Sequence, residues 1–102
     1  MYRSHNCGEL RIKHVGLEVK LSGWIHKIRD KGSLIWIDLR DRYGITQIII
    51  DTNESSKNLF EQVKKVGREY VISIKGMVKE RESKTHNIGT GDIEITLQEI
   101  EI

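Results

Sequence analysis

The chain has 102 residues, of which 37% are hydrophobic, and a formal net charge of +2. This length predicts a single domain over residues 1–102, large enough for a core and too small for two domains. No run of about 18 apolar residues occurs, so no transmembrane helix is expected. The one cysteine, Cys7, cannot form an internal disulfide, and we therefore expect a reducing, cytoplasmic environment.

Charge is unevenly distributed along the chain. Residues 11–31 are rich in lysine and arginine, whereas residues 92–102 carry acidic side chains and no basic one. We expect one positive and one negative edge, a polarity that suits the docking of a polyanion in one orientation.

An irregular segment or a single helical turn is predicted for residues 2–16, because the apolar residues lack a clean period and Gly16 ends the segment. We expect it to cover one end of the core. Cys7 could be grouped with His5 and His14 as metal ligands, but these spacings match no zinc pattern. A small buried thiol is the simpler interpretation.

Alternation of apolar and polar residues begins at Glu18 and predicts a first strand. Its inward face comprises Val19, Leu21, Gly23 and Ile25. Glycine inside a strand indicates a bend or a close backbone approach, and a bent long strand is what closing a small barrel requires. The same phase reaches Lys27 and Arg29, so we expect this strand to leave the core and carry its charge beside the next strand.

Residues 32–51 predict two strands joined by a tight turn at Tyr43-Gly44. In the first of them, Ile35, Ile37 and Leu39 share one face, which leaves Trp36 on the other face with charged residues. An aromatic residue in a strand is usually part of the core. A ring on a polar face beside arginine is instead typical of a stacking platform for unpaired bases. Both faces of the following strand are apolar, so its phase does not assign Gln47.

The second half predicts one helix and two strands. Residues 52–56 supply turn and N-cap chemistry for a helix of about Lys57 to Val66, with Gly67 as its C-terminal cap. A fourth strand starts at Glu69, and its inward residues are Tyr70, Ile72, Ile74, Gly76 and Val78. A flexible loop is expected from Lys79 to Gly91. The fifth strand starts at Asp92, and a bulge near Glu99 shifts its apolar residues to Ile100 and Ile102.

Five strands in the order βββ-α-ββ predict an all-β fold: the OB-fold, a five-stranded Greek-key barrel with one helix between strands 3 and 4. The early strands and flanking loops form the functional face of that fold, which is where Trp36 and Gln47 fall. The residues expected to be buried are Val19, Leu21, Ile35, Ile37, Ile72, Ile74, Ile93 and Ile95.

Catalytic motifs are not recognisable in the sequence. It contains no glycine-rich phosphate loop, paired cysteine motif or Ser/His/Asp arrangement. Asp38 and Asp41 lie beside arginines and are more simply ion-pair partners than a general acid and base. His26 and His86 are expected to be solvated. We therefore expect no catalysis, metal site or cofactor within this chain.

Three runs carry a resemblance to a known family. They are Gly23-Trp24-Ile25-His26, residues 29–42 with the core Ile37-Asp38-Leu39-Arg40-Asp41-Arg42, and Gly44-Ile45-Thr46-Gln47. Cys7-Gly8-Glu9-Leu10 and Thr90-Gly91-Asp92-Ile93-Glu94 fit the same pattern. Over its whole length the chain resembles the N-terminal anticodon-binding domain of bacterial-type aspartyl-tRNA synthetases.

The resemblance implies roles for individual residues. Trp36, where the family usually has phenylalanine, stacks on the middle anticodon uridine, and Gln47 hydrogen-bonds its edge. Arg29 lies against the anticodon, Glu94 helps to read the first anticodon base, and Asn87 is the counterpart of loop asparagines that touch the anticodon. With the basic cluster of the first strand, the candidate anticodon-binding residues are Lys27, Arg29, Lys31, Trp36, Gln47, Asn87 and Glu94.

The resemblance also implies a larger parent enzyme. Its class II catalytic domain, which binds ATP, Mg and aspartate and makes a homodimer, has no counterpart in these residues. The expected partner is the anticodon stem-loop of tRNA(Asp). A free-standing OB module that binds single-stranded nucleic acid without strict sequence preference would carry the same basic and aromatic face. The unaltered run of residues 37–42 favours the synthetase.

Overall fold

Five strands dominate the computed structural model, which describes residues 2–51 and 57–102. They are β1 (Glu18–Asp30), β2 (Leu34–Asp41), β3 (Gly44–Asp51), β4 (Val71–Glu80) and β5 (Ile93–Glu101). A helix, α1 (Lys57–Lys64), lies between β3 and β4, and a 3₁₀ turn (Ile12–His14) precedes β1. The strands close into a barrel in the order β1-β2-β3-β5-β4. The predicted OB-fold arrangement is confirmed.

The barrel core consists of the side chains that the alternation placed inward. All eight residues expected to be buried are at most 2% exposed. Cys7 and Leu10 are also fully buried, so the N-terminal segment covers part of the core as predicted. No helix in the described part of the chain is long and apolar enough to cross a membrane.

The length of β1 allows it to pair with two strands and so to help close the barrel. Its first half pairs with β4 and its second half with β2, with both ladders meeting at Trp24. Gly23 lies at this crossing, where a methyl group would overlap the carbonyl oxygen of Arg40. The predicted close backbone approach is therefore confirmed.

The phase of β1 does not continue beyond Ile25, contrary to the prediction. The register with β2 shifts between Ile25 and Lys27, which makes His26 the extra residue of a bulge. After the bulge Ile28 packs against the core, and Arg29 is exposed opposite Trp36. The strand therefore stays on the barrel, and the bulge is what brings Arg29 beside Trp36.

The predicted helix end was wrong. α1 ends at Lys64, before the predicted Val66, and Gly67 is not in the left-handed conformation of a glycine cap. The non-glycine residue with positive φ in the described chain is Glu69, at 72°. The predicted N-cap residues, 52–56, lie outside the described residues.

The start of β4 was also predicted too early. Glu69 and Tyr70 bond to the backbone of Ile25, at 2.8 and 2.9 Å, and regular pairing begins only at Val71. Tyr70 is consequently 47% exposed, and its predicted inward position was wrong.

The bulge predicted in β5 is confirmed. Lys75 lies opposite Glu99 and Gly76 opposite Leu97, so Gln98 is the extra residue. Ile100 is buried, but Ile102 is exposed, because β5 ends at Glu101, before it reaches Ile102. The predicted inward position of Ile102 was therefore wrong.

The connection from β4 to β5 spans residues 81–92 rather than the predicted Lys79 to Gly91, because β4 continues to Glu80 and β5 begins at Ile93. It is folded on itself by hydrogen bonds of 3.1 Å from Thr85 N to the Gly91 oxygen and from Gly91 N to the Ile88 oxygen. The hydroxyl of Thr90 donates to the carbonyl of Ile45 and so ties the connection to β3.

Candidate nucleic-acid interface

A groove of about 470 Å³ lies on the outer face of the barrel, where β2 and β3 meet the end of β4 and the start of β5. Outward side chains of neighbouring strands form its walls, because the pleat sends alternate residues out of the barrel. Arg29, Trp36, Gln47 and Glu94, four of the seven candidate residues, line it together.

Trp36 and Arg29 face each other across β1 and β2. The guanidinium carbon of Arg29 is 5.5 Å from the centre of a Trp36 ring. A cation at this distance is attracted to the negative ring face. The tryptophan is half-buried in the groove wall, so part of its aromatic surface faces the groove and is accessible for stacking.

Gln47 and Glu94 form a hydrogen-bonded pair in the opposite wall. Gln47 Nε2 donates to Glu94 Oε1 at 3.0 Å, and each residue is 7% exposed. Because a carboxylate only accepts hydrogen bonds, the amide nitrogen of Gln47 must face Glu94. In the part of the chain that the structure describes, Gln47 Oε1 accepts no hydrogen bond and is not sealed from solvent. The pair therefore leaves a carbonyl acceptor of fixed orientation in the groove.

Two basic residues of the groove were not among the candidates. Lys79 Nζ lies 3.7 Å from Glu94 Oε2, and Arg81 Nε donates to the carbonyl of Ile93 at 3.1 Å. The alternation of β4 places Lys79 outward. Because Lys79 is far from Trp36 in the sequence, the sequence gives no reason to assign the two residues to one site. The charges of Lys79 and Arg81 offset those of Glu82 and Glu94, which also line the groove.

The other three candidates lie outside the groove and are exposed. Lys27 is opposite Asp38 in the β1–β2 ladder, and Lys31 is in the turn after β1. Asn87 is in the β4–β5 connection, where its backbone N–H donates to Thr85 Oγ1 at 3.2 Å. Contacts of these three side chains with RNA remain predictions.

Asp41, at the far end of β2 from the groove, has a structural role. Its carboxylate accepts hydrogen bonds from Cys7 N and Tyr43 N, both at 2.8 Å, and from Gly44 N at 3.1 Å. Arg3 Nη1 lies 3.8 Å from the same carboxylate. Asp41 is an ion-pair partner as predicted, but of Arg3 rather than of the arginines beside it in the sequence, and Asp38 forms no ion pair within the described residues.

Cys7 is the buried thiol that the sequence indicated. Burial, together with the charge of nearby Asp41, raises the pKa of the Cys7 thiol well above its ordinary value. Neutral thiols are poor nucleophiles and metal ligands. Within residues 2–51 and 57–102, no group of three His, Cys, Asp or Glu side chains is arranged to hold a metal ion.

Residues 19–102 match the model of the tRNA anticodon family, which is described as an OB-fold nucleic acid binding domain. The chain belongs to this family. It is 57% identical, over all of its 102 residues, to an aspartate–tRNA ligase of Flavobacterium psychrophilum, and it spans 18% of that protein. The resemblance to aspartyl-tRNA synthetases is thereby confirmed.

Solved structures show the same fold. An asparaginyl-tRNA synthetase from Pyrococcus horikoshii, complexed with asparaginyl-adenylate, superimposes with a TM-score of 0.84 at 29% identity. That match covers all of this chain and 22% of the synthetase. An OBody, AM2EP06, bound to hen egg-white lysozyme matches with a TM-score of 0.89 at 27% identity, covering all of this chain and 94% of the OBody.

Proposed function

We propose that this domain is the tRNA-recognition part of an aspartate–tRNA ligase and binds the anticodon of tRNA(Asp) in the groove lined by Trp36 and Gln47. The observation that carries the proposal is the Gln47 amide, held by Glu94 in the groove with a free acceptor. The chain spans 18% of its relative. The proposal therefore assigns aspartate activation with ATP and Mg, and assembly into a homodimer, to the rest of such a ligase.

Stacking supplies affinity in this arrangement. An unpaired base on an aromatic side chain contributes about 1–3 kcal/mol, and every base has a face that can stack. Arg29, Lys79 and Arg81 line the same groove as the ring and supply cationic contacts for the phosphates of the strand. Trp36 therefore retains the loop without choosing among bases.

Gln47 distinguishes between the bases. Uracil presents an N–H donor next to a carbonyl. The N–H donates to Gln47 Oε1, and the carbonyl accepts the second hydrogen of Nε2. Cytosine presents an acceptor next to an amino donor, so it would pair in the same place only if the amide were reversed. Glu94 opposes that reversal, because two oxygen acceptors would then face each other. A middle uridine is thus preferred over a middle cytidine.

The test is a binding titration of the unaltered domain, using the labelled anticodon stem-loop of tRNA(Asp) and the same stem-loop with a middle cytidine. We expect tighter binding of the uridine loop by about 1–3 kcal/mol, the cost of leaving buried polar groups unpaired. Equal affinity for both loops and for an unrelated single strand would support the general single-strand binder instead.

Salt dependence tests the basic cluster of Lys27, Arg29 and Lys31. If these side chains neutralise about three phosphates, they should contribute about −2 to the slope of log K against log salt, at roughly −0.7 for each single-strand contact. The measurement is the same titration at four or more salt concentrations. A slope near zero would show that the cluster does not contribute to binding.

A further inference from the structure

A second concentration of positive charge lies at the opposite end of β2 from the groove. Arg11, Arg40 and Arg42 line a cleft of about 460 Å³ beside the turn between β2 and β3. Arg3 lies next to it, with its guanidinium carbon 5.4 Å from the ring centre of Tyr43. We call these four residues the arginine cleft.

Two of its guanidinium groups are uncommitted. Arg40 and Arg42 are exposed on either side of the buried Asp41. Within the residues that the structure describes, neither side chain makes a hydrogen bond, ion pair or ring contact. Asp41 is the one acidic residue among the described lining residues, and backbone amides and Arg3 already occupy its carboxylate. The charges of Arg40 and Arg42 are therefore available to a ligand.

Arg11 is held in place before any ligand binds. Its Nη1 donates to the carbonyls of Gly8 and Leu10, at 2.8 and 2.9 Å. The other terminal nitrogen of the guanidinium, Nη2, lies against Gly89. A methyl group added at Gly89 would be 3.0 Å from that nitrogen. A guanidinium with a fixed position loses less side-chain entropy when it binds an anion.

The chemistry of the cleft fits phosphate rather than a protein surface. Guanidinium groups match phosphate oxygens with two parallel hydrogen bonds. The cores of protein interfaces are apolar and depleted of charge, whereas the apolar lining here is limited to Ile45, Ile88 and a Tyr43 ring next to Arg3. A polyanion is the occupant that these side chains favour.

We propose that the arginine cleft binds phosphodiester groups of the base-paired strand that flanks the bases held at Trp36; this rests on the proposed function. Arg40 is four residues from Trp36 on the same outward face of β2, a distance of about 13 Å at roughly 3.3 Å per residue. The cleft therefore meets the backbone a few nucleotides from the base on Trp36, where the loop passes into the stem.

The test compares the variant Arg40→Gln/Arg42→Gln with Lys57→Gln/Lys65→Gln, which removes the same charge at exposed positions at and just after α1. The probes are a labelled anticodon stem-loop of tRNA(Asp) and an unpaired RNA with the loop sequence alone. We expect the arginine variant to bind the stem-loop at least roughly fivefold more weakly. Its salt slope should be less negative by about 1.8, at roughly −0.9 for each duplex phosphate.

The unpaired RNA should bind the arginine variant and the lysine variant equally well, and the preference for a middle uridine should be unchanged. A loss no larger than that of the lysine variant, or an equal loss on both probes, would overturn the proposal; a cleft that docks a protein would give the first of these results. Thermal unfolding confirms that the variants are folded. The single variants Arg40→Gln and Arg42→Gln, each expected to give half of the slope change, keep the test valid if the double variant unfolds.

Failure of this proposal can be distinguished from failure of the proposed function. If the unaltered domain does not prefer the uridine stem-loop, the anticodon proposal fails and the cleft proposal fails with it. If that preference is present and the arginine variant behaves as the lysine variant does, only the cleft proposal fails.

Discussion

Replacement of Trp36 by alanine is expected to weaken the binding of every anticodon stem-loop by a similar factor. The ring offers a stacking surface in the groove, and stacking contributes about 1–3 kcal/mol per base whatever the base. The variant also removes the ring that lies 5.5 Å from the Arg29 guanidinium. Fluorescence anisotropy of labelled stem-loops with a middle uridine or cytidine should show roughly 5- to 150-fold weaker binding of both.

Replacement of Gln47 by alanine should instead act mainly on the difference between the two loops. Without the amide, the edge of the middle base has no partner that distinguishes uridine from cytidine, so the preference should fall by about 1–3 kcal/mol. Glu94→Gln should narrow the same preference more gently, because a second amide can face Gln47 in either orientation. The same anisotropy titrations measure both effects.

Matched controls separate these roles from general damage. Trp36→Phe keeps a stacking surface and should retain most of the affinity, whereas Tyr70→Ala removes an exposed aromatic ring outside the groove. Gln98→Ala removes an exposed glutamine from the bulge of β5. Equal loss on both loops for Gln47→Ala, or no loss for Trp36→Ala, would make these residues structural and favour a general single-strand binder.

Strand alternation predicted the barrel core because burial on one face leaves a strong period of two in the sequence. The same reasoning failed in β1, where one extra residue changes the phase of the strand and nothing in the residue types signals it. His26 is an ordinary polar residue, and only its position opposite β2 makes it a bulge. The bulge of β5 was recognisable because there the apolar residues themselves changed phase, from Leu97 to Ile100.

The groove was predictable in part for a similar reason. Trp36 stood out because its own strand placed an aromatic ring among charges. Gln47 lies in a strand with two apolar faces, so only the resemblance, and not the phase, could assign it. Its partner Glu94 is 47 positions away, and the hydrogen bond between them depends on the parallel pairing of β3 with β5. No local pattern encodes a contact of that kind.

Asp41 is expected to be the polar residue whose loss destabilises the barrel most. Its carboxylate satisfies three backbone N–H groups, at Tyr43 in the β2–β3 turn, at Gly44 where β3 begins and at Cys7, and so ties the N-terminal segment to the barrel. The backbones meet closely there, because a methyl group at Gly8 would overlap the carbonyl of Tyr43. A relaxed arrangement therefore cannot easily replace the lost acceptor.

Asp41→Ala leaves these donors without that acceptor, at about 1–3 kcal/mol for each one that stays buried. The bond from Cys7 N is buried and those from Tyr43 N and Gly44 N are partly buried, so we expect a total of about 3 kcal/mol. At roughly 4–8 °C per kcal/mol for a domain of this size, the thermal midpoint should fall by about 12 °C or more. Asp41→Asn keeps one acceptor oxygen and should be intermediate.

The matched control is Asp30→Ala, which removes an aspartate at the end of the neighbouring strand. Asp30 is exposed, and Oδ1 accepts a hydrogen bond from Gly32 N at 2.8 Å. Water can replace that acceptor, so this variant should lose less than about 1 kcal/mol. Calorimetry or thermal circular dichroism of the three variants measures the order. An Asp41→Ala midpoint as high as that of Asp30→Ala would mean that the packing of Cys7 and Leu10, rather than the carboxylate, holds the N-terminal segment on the barrel.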